Sequence, residues 1–259
     1  MLDKLKEKLL ETAGSEIESS VQDMPADFVK ALHSTVEHNY NMELSLLACA
    51  SSLWCGADEL TGMPAAVGSL LMRAGIAAHL ETSGLPDVIS TIPVPELGDE
   101  TLSILVGDGL IAKAMEYLAA SCGRHSTRMV EEAARALGAS GVLSGISLAV
   151  DRFNGIELAS PDGRADYELY SGQLARFASQ GGALLAGASG MMLDDAAQIG
   201  LLTGRARYLS ILSEGVHEKE RKSELVFQAR TLADEAQSIA GRRESSSLFT
   251  SLMCLSDFL

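Results

Sequence analysis

The chain has 259 residues, of which 47% are hydrophobic and only 5% aromatic, and its formal net charge is −15. This length fits one large helical domain or two modest ones, and we predict a single domain that covers residues 1–259. A surface this acidic repels nucleic acid and anionic membranes, so the composition disfavours both as partners. It also disfavours diphosphate binding unless basic side chains surround the site.

The sequence predicts neither a membrane span nor a zinc site. It contains no uncharged apolar stretch of the required length with basic flanks, and its first residues, MLDKLKEKLLE, are charged and unlike a signal peptide. The four cysteines, Cys49, Cys55, Cys122 and Cys254, lack CxxC spacing. We therefore expect reduced, structural thiols and a cytoplasmic protein.

Hydrophobic residues recur with helical spacing along most of the chain, and the alternation typical of strands is missing. The pattern therefore predicts an all-α protein of about ten helices. In chain order, the predicted helices cover residues 1–20, 25–38, 42–54, 64–80, 102–121, 128–137, 138–151, 167–190, 192–212, 216–240 and 247–259. A loop with three prolines, residues 84–95, and a polar connection, residues 153–164, separate some of them.

The helix predicted at residues 102–121 is apolar almost all round, which indicates a central position in the core. Asp99 is suited to cap its first turn. Gly107 and Gly109 each cost about 1 kcal/mol relative to alanine within a helix, so we expect a neighbouring helix to approach closely there. Asp108 on such a helix needs a partner, and we expect a bond to a neighbouring helix.

Small residues at four-residue spacing indicate a second close helix contact. Gly200 and Gly204 lie four apart on one predicted helix, and Ala183 and Gly187 lie four apart on the preceding one. Helix backbones approach closely where side chains are short. We therefore expect Gly200 and Gly204 to face a neighbouring helix.

Several motifs follow the order and spacing of the trans-polyprenyl diphosphate synthases. Gly107-Asp108-Gly109-Leu110 is similar to the Gly-Asp helix of that family, residues 182–188 (GALLAGA) to its GAILAGA helix, and residues 170–174 (YSGQL) to its K-T-G-x-L segment. Gly200 and Gly204 fall where the family has G-x-x-x-G. The chain thus resembles this family over most of its length. The resemblance implies an isoprenoid-synthase-like helical bundle around a central cavity, and a dimer formed partly through residues 102–121.

The two Asp-rich motifs that hold magnesium in the family are replaced here. The first is expected directly after His79, where the chain reads Leu-Glu-Thr-Ser-Gly and retains one carboxylate, Glu81. A gap-free transfer of the second places Ile211, Leu212 and Gly215 at its aspartate positions. Magnesium requires hard oxygen ligands in a fixed arrangement, which apolar side chains cannot supply. We therefore predict no metal ligand and no catalytic residue.

Basic residues that would neutralise a diphosphate are also scarce. Between residues 31 and 112 the only lysine or arginine is Arg73. The lysine of the K-T-G-x-L segment corresponds to Tyr170. The adjacent pair Asp194-Asp195 falls at the start of a helix, where carboxylates favour the helix dipole. The resemblance leaves one set of candidate ligand-binding residues in a remnant of the pocket, namely His79, Glu81, Tyr170, Ser171 and Tyr208.

We interpret the resemblance as that of a non-catalytic family member. It implies the regulatory or small subunit of a heteromeric prenyl diphosphate synthase in isoprenoid biosynthesis, assembled as a homo- or heterodimer with a prenyl-synthase-like chain and without a cofactor. Two alternatives stay open. One is a divergent active prenyltransferase of the geranyl, farnesyl or geranylgeranyl diphosphate type, which would need Mg²⁺, and the other is an isoprenoid-binding protein.

Overall fold

The computed structural model describes residues 2–38, 42–82, 97–153 and 171–242. These ranges contain α-helices and two short 3-10 turns but no strand, which confirms the all-α prediction. The predicted helix at residues 247–259 lies outside them. The α-helices are α1 Leu2–Glu18, α2 Ala26–Glu37, α3 Met42–Trp54, α4 Met63–Glu81, α5 Glu100–Ser121, α6 Ser126–Leu137, α7 Val142–Phe153, α8 Gln173–Leu185, α9 Met191–Glu214 and α10 Lys219–Ala240.

Helix α4 lies at the centre of the bundle. Sixteen of its nineteen residues are buried, and it contacts α1, α2, α3, α5, α6 and α8. Within the described residues, segment 59–81 alone is long and apolar enough to cross a membrane, and 83% of its most apolar window is buried inside the protein. A core helix of a large bundle has this composition because every side of it faces another helix.

Helix α5 is not the fully buried central helix that its composition predicts. One face, with Val106, Leu110 and Leu118, is completely buried against the bundle. The opposite face is open, with Ile104 40% and Leu105 53% exposed. The prediction was wrong because an apolar pattern shows that a surface is to be covered and does not show whether the same chain covers it.

Helices α4 and α5 approach each other through glycine. A Cβ on Gly75 would lie 2.8 Å from the carbonyl oxygen of Gly107, and a Cβ on Gly107 would lie 2.6 Å from Nε2 of His79. Close approach therefore explains Gly107, as predicted. It does not explain Gly109, where a Cβ would meet its nearest neighbour, Phe28, at an ordinary 3.6 Å. For Gly109 the prediction was wrong.

The small-residue contact between α8 and α9 is confirmed. A Cβ on Gly204 would lie 2.7 Å from the carbonyl oxygen of Ser171, and a Cβ on Gly200 would overlap the carbonyl oxygen of Ala175. Both glycines are buried. The two helices thus pack backbone to backbone, and a larger side chain at either glycine would force them apart.

Some helix ends differ from the predicted ones. Asp99 caps α5 as expected, because its Oδ1 accepts a hydrogen bond from the Leu102 amide at 2.7 Å. Helix α8 ends at Leu185 rather than at residue 190, since Gly187 has a φ of +85° that a helix cannot continue through. Helix α6 begins at Ser126 rather than at residue 128, because a 3-10 turn leads directly into it.

Candidate functional site

The candidate site begins at the end of α4 with Glu81, the one carboxylate that the resemblance places at the first Asp-rich motif. Its Oε1 accepts hydrogen bonds from the backbone amides of Leu97, at 2.7 Å, and Gly98, at 3.0 Å. Its Oε2 accepts a hydrogen bond from the hydroxyl of Ser103. Glu81 therefore joins the end of α4 to the segment that leads into α5. Three of the roughly four acceptor positions of a carboxylate are occupied by these donors.

His79 lies two residues before Glu81 on α4, and its ring also contacts α5. Its Nε2 is 3.3 Å from Oδ1 of Asp108 on α5, and the two side chains are 32% and 70% exposed. The predicted bond between Asp108 and a neighbouring helix is confirmed, although Asp108 lies at the surface rather than inside the core. A polar contact this exposed contributes at most about 1 kcal/mol. It is therefore a minor part of the packing between α4 and α5.

Ser171 and Tyr208 lie on the α8–α9 side of the bundle. The Ser171 hydroxyl is buried and donates a hydrogen bond to the carbonyl oxygen of Gly204 at 2.8 Å. Tyr208 is buried within α9. Tyr170, the remaining candidate, lies outside the described residues. The structure thus assigns Ser171 to the α8–α9 contact, and assigns His79 and Glu81 to the contacts of α4 with α5 and the segment before it.

The end of α9 is the second place where the family resemblance implies metal ligands. Ile211 and Leu212 are half-buried there, and Gly215 ends the helix. One turn earlier, burial lowers the pKa of the Arg207 guanidinium, an effect that Glu43 and Glu214 oppose. Arg207 thus places a positive charge near two carboxylates at this end of the helix. The sequence prediction did not include it among the site residues, because its neighbour Glu43 is distant in sequence.

Arg73 is a buried charged residue to which the sequence prediction gave no role. It lies on the central helix α4 and is only 2% exposed. Arginine is almost never buried without a partner. The feature of the sequence that marked it was its position as the only lysine or arginine between residues 31 and 112.

The thiols of the described residues are structural. Burial raises the pKa of the Cys49 thiol to about 12 and that of the Cys122 thiol to about 11. Since the thiolate is the reactive form, both side chains are inert at neutral pH. Cys55 is half-buried, and none of these three cysteines forms a disulfide.

Known proteins share this architecture, although no family model matches the sequence and no curated protein matches it significantly. A mint heterotetrameric geranyl pyrophosphate synthase, solved as a deletion mutant with ligands, has a TM-score of 0.69 at 21% identity, covering 95% of this chain and 98% of its own. An FPP/GFPP synthase from Zymomonas mobilis has a TM-score of 0.73 at 18% identity, covering 100% and 99%. The chain has the fold of the prenyl diphosphate synthases.

A third structure with this fold is the geranyl diphosphate synthase small subunit from Antirrhinum majus. It has a TM-score of 0.66 at 20% identity, and the alignment covers 97% of this chain and 98% of that subunit. Identities this low show a common fold, so the chemistry of the site is argued from the residues of this chain.

Those residues do not fit the magnesium ions that the resemblance implies. In the described part of the chain, no three His, Cys, Asp or Glu side chains come together as a possible metal site. The carboxylate of Glu81 is hydrogen-bonded to the segment before α5 and to α5 itself. The positions expected to carry aspartates on α9 hold Ile211 and Leu212. Magnesium prefers carboxylate and water oxygens in an octahedral arrangement, which these side chains do not provide.

Proposed function

We propose that this chain is a non-catalytic, prenyl-synthase-like subunit that assembles with a catalytic prenyl diphosphate synthase chain. The observation that carries the proposal is the hydrogen bonding of Glu81. The one carboxylate retained from the first metal-binding motif accepts bonds from two backbone amides and from Ser103. To bind a metal ion, it would have to release the start of α5.

The second motif supports the same conclusion. The half-buried side chains of Ile211 and Leu212 cannot ligate a metal ion, and Gly215 has no side chain. Ionisation of an allylic diphosphate requires positive charge beside the departing diphosphate, which metal ions supply. Glu81 is already hydrogen-bonded within the protein, and Ile211 and Leu212 are aliphatic. These side chains therefore do not bind the metal ions that would supply this charge.

The charge distribution also disfavours a diphosphate as ligand of this chain alone. The net charge is −15, and Arg73 is the only lysine or arginine between positions 31 and 112. Arg73 is itself buried in the central helix. Diphosphate recognition usually relies on several charge-assisted bonds from arginine and lysine. We infer that a partner chain supplies the diphosphate site.

The open face of α5 is the surface that we assign to the partner. It carries the exposed apolar side chains of Ile104 and Leu105, with the exposed Ala119 further along the helix. Ile104 and Leu105 are adjacent large apolar side chains left exposed to solvent, and an exposed apolar patch is typical of an interaction site. The mint protein with this fold is heterotetrameric, and the Antirrhinum protein is a small subunit. Both support a prenyl synthase as the partner.

Co-purification tests this assignment. The tagged chain is co-expressed with each catalytic prenyl diphosphate synthase of its own genome, and the captured material is examined by size-exclusion chromatography with light scattering. We expect a stable complex of defined stoichiometry with at least one of them, and a change in the rate or the chain length of its products. Failure to bind any of them, with the chain folded and monomeric, would contradict the proposal.

A further inference from the structure

A groove runs over the outside of the bundle between the end of α1, helix α2 and the middle of α5. It is separate from the residues of the candidate site. Its volume is about 420 Å³, which lies within the range of about 300–1,000 Å³ that is usual for small-molecule sites. Its walls are mainly apolar. The apolar lining side chains are those of Ile17, Val21, Met24, Phe28, Leu32 and Leu110.

Gly109 also lines the groove and leaves room in it. A Cβ at this position would lie 3.6 Å from Cζ of Phe28 and 3.8 Å from Cδ2 of Leu32, which are ordinary contacts. Alanine would therefore fit, and it is a much better helix former than glycine. Helix packing does not require Gly109, in contrast to Gly107, which His79 covers. The missing side chain has one structural consequence, namely that the groove stays deeper between Phe28 and Leu32.

The charged end of the groove determines which ligands it accepts. Nζ of Lys113 is 3.2 Å from Oε2 of Glu16 and 3.4 Å from Oε2 of Glu116, and the lysine side chain is only 10% exposed. Two carboxylates around one ammonium group leave this end with a net negative charge. It therefore repels carboxylate, phosphate and diphosphate groups, and accepts a hydroxyl or a cation.

We propose that this groove binds a small, mainly apolar molecule whose polar group carries no negative charge. The apolar body lies along Phe28, Leu32 and Leu110 over Gly109, and the polar group lies beside Glu116 and Lys113. The proposal does not depend on the subunit function proposed above, because the groove lining includes neither Glu81 nor the exposed side chains of Ile104 and Leu105.

The test uses the full chain and the uncharged dye Nile red, whose fluorescence rises on transfer to an apolar site. Three competitors with the same alkyl chain and different head groups are added below their micelle concentrations: decanol, decylammonium and decanoate. We expect decanol and decylammonium to displace the dye, and decanoate to be at least about tenfold weaker. Equal displacement by all three contradicts the proposed charge selection. Absence of saturable dye binding contradicts the site itself.

Variants locate the binding. Gly109→Leu and Ala112→Leu each place a side chain in the groove, and we expect each to weaken dye binding by about tenfold or more through steric exclusion. Ala120→Leu adds the same side chain to an exposed position of α5 outside the groove and should bind like the parent chain. Glu116→Gln should strengthen displacement by decanoate. Unchanged dye binding in both groove variants, with the fold verified by circular dichroism, overturns the proposal.

The same variants distinguish a ligand site from a protein interface. Sedimentation velocity is measured for the parent chain, Gly109→Leu and Ala112→Leu at equal concentrations. We expect the same sedimentation coefficient for all three. If the groove variants change self-association and leave dye binding intact, the groove is an interface between copies of the chain and the small-molecule proposal is wrong.

Discussion

The imidazole of His79 covers the backbone of Gly107, so that a Cβ on Gly107 would lie 2.6 Å from Nε2 of the ring. In Gly107→Ala the ring must move away and lose its contact with Asp108. The loss in free energy of unfolding caused by Gly107→Ala should disappear when residue 79 is alanine. A double-mutant cycle with His79→Ala, measured by urea unfolding, should give a coupling of about 0.5 kcal/mol or more. Additive effects of the two substitutions would show that the ring and Gly107 do not constrain each other.

Two alanine substitutions at helix glycines should have opposite effects on stability. Gly204→Ala places a Cβ 2.7 Å from the Ser171 carbonyl oxygen, which is backbone and cannot easily move. We expect it to lower the free energy of unfolding by about 1–3 kcal/mol. Gly109→Ala meets only ordinary contacts and should raise that free energy by up to about 1 kcal/mol through helix propensity. Urea unfolding of both variants against the parent chain measures the difference, and equal signs would contradict the described packing.

Glu81 should stabilise the fold without binding a metal ion. In Glu81→Ala the Leu97 and Gly98 amides and the Ser103 hydroxyl lose their acceptor. Hydrogen bonds to charged groups contribute about 1.5–3 kcal/mol, and we expect a loss of about 2 kcal/mol in the free energy of unfolding. Ser103→Ala, which removes one donor, should cost less.

The effect of Mg²⁺ on thermal stability distinguishes a structural role of Glu81 from a metal-binding one. We expect millimolar MgCl₂ to leave the thermal midpoint of the parent chain and of Glu81→Ala equally unaffected, with NaCl of matched ionic strength as the control. A midpoint raised by Mg²⁺ in the parent chain and not in the variant would assign Glu81 to a metal site.

The buried thiols give a pH dependence with a defined sign. The pKa of Cys49 is about 12 in the folded chain, against an ordinary 9.0 in the unfolded one. Between these values the unfolded chain releases a proton that the folded chain retains. The free energy of unfolding therefore falls as pH rises above 9, by up to about 1.4 kcal/mol for each pH unit. Cys49→Ala should show a shallower decline between pH 9 and 11 than the parent chain, and parallel curves would contradict the raised pKa.

The sequence predicted the local features of the fold well. The Asp99 cap and the close contact at Gly204 depend on side-chain chemistry and spacing, which a single sequence shows. The position of α5 could not be predicted, since an apolar pattern does not distinguish burial within one chain from burial between chains. The bonds of Glu81 join residues sixteen and more positions apart, and only the folded chain brings these residues together.

The open face of α5 should be required for assembly and dispensable for folding. Leu105→Glu places a charge on the exposed apolar patch of Ile104 and Leu105, and it should abolish co-purification with the catalytic chain while leaving the thermal midpoint within a few degrees of the parent value. Phe227→Glu on α10 is the matched control, because Phe227 is equally apolar and 72% exposed on a different surface. Equal effects of both variants on assembly would contradict the assignment of the interface to α5.

The central claim, that this chain is not itself a prenyl diphosphate synthase, is tested most directly by an activity measurement. The purified chain is incubated with labelled isopentenyl diphosphate, an allylic primer and Mg²⁺, in a preparation shown to be free of host synthase. Loss of even one preorganised electrostatic contact typically costs about 10²–10³ in rate, and the proposed function implies the loss of both metal-binding motifs. We expect no product above a control without protein, and product formation with a catalytic partner present. Product from the chain alone would contradict the account and support the active prenyltransferase instead.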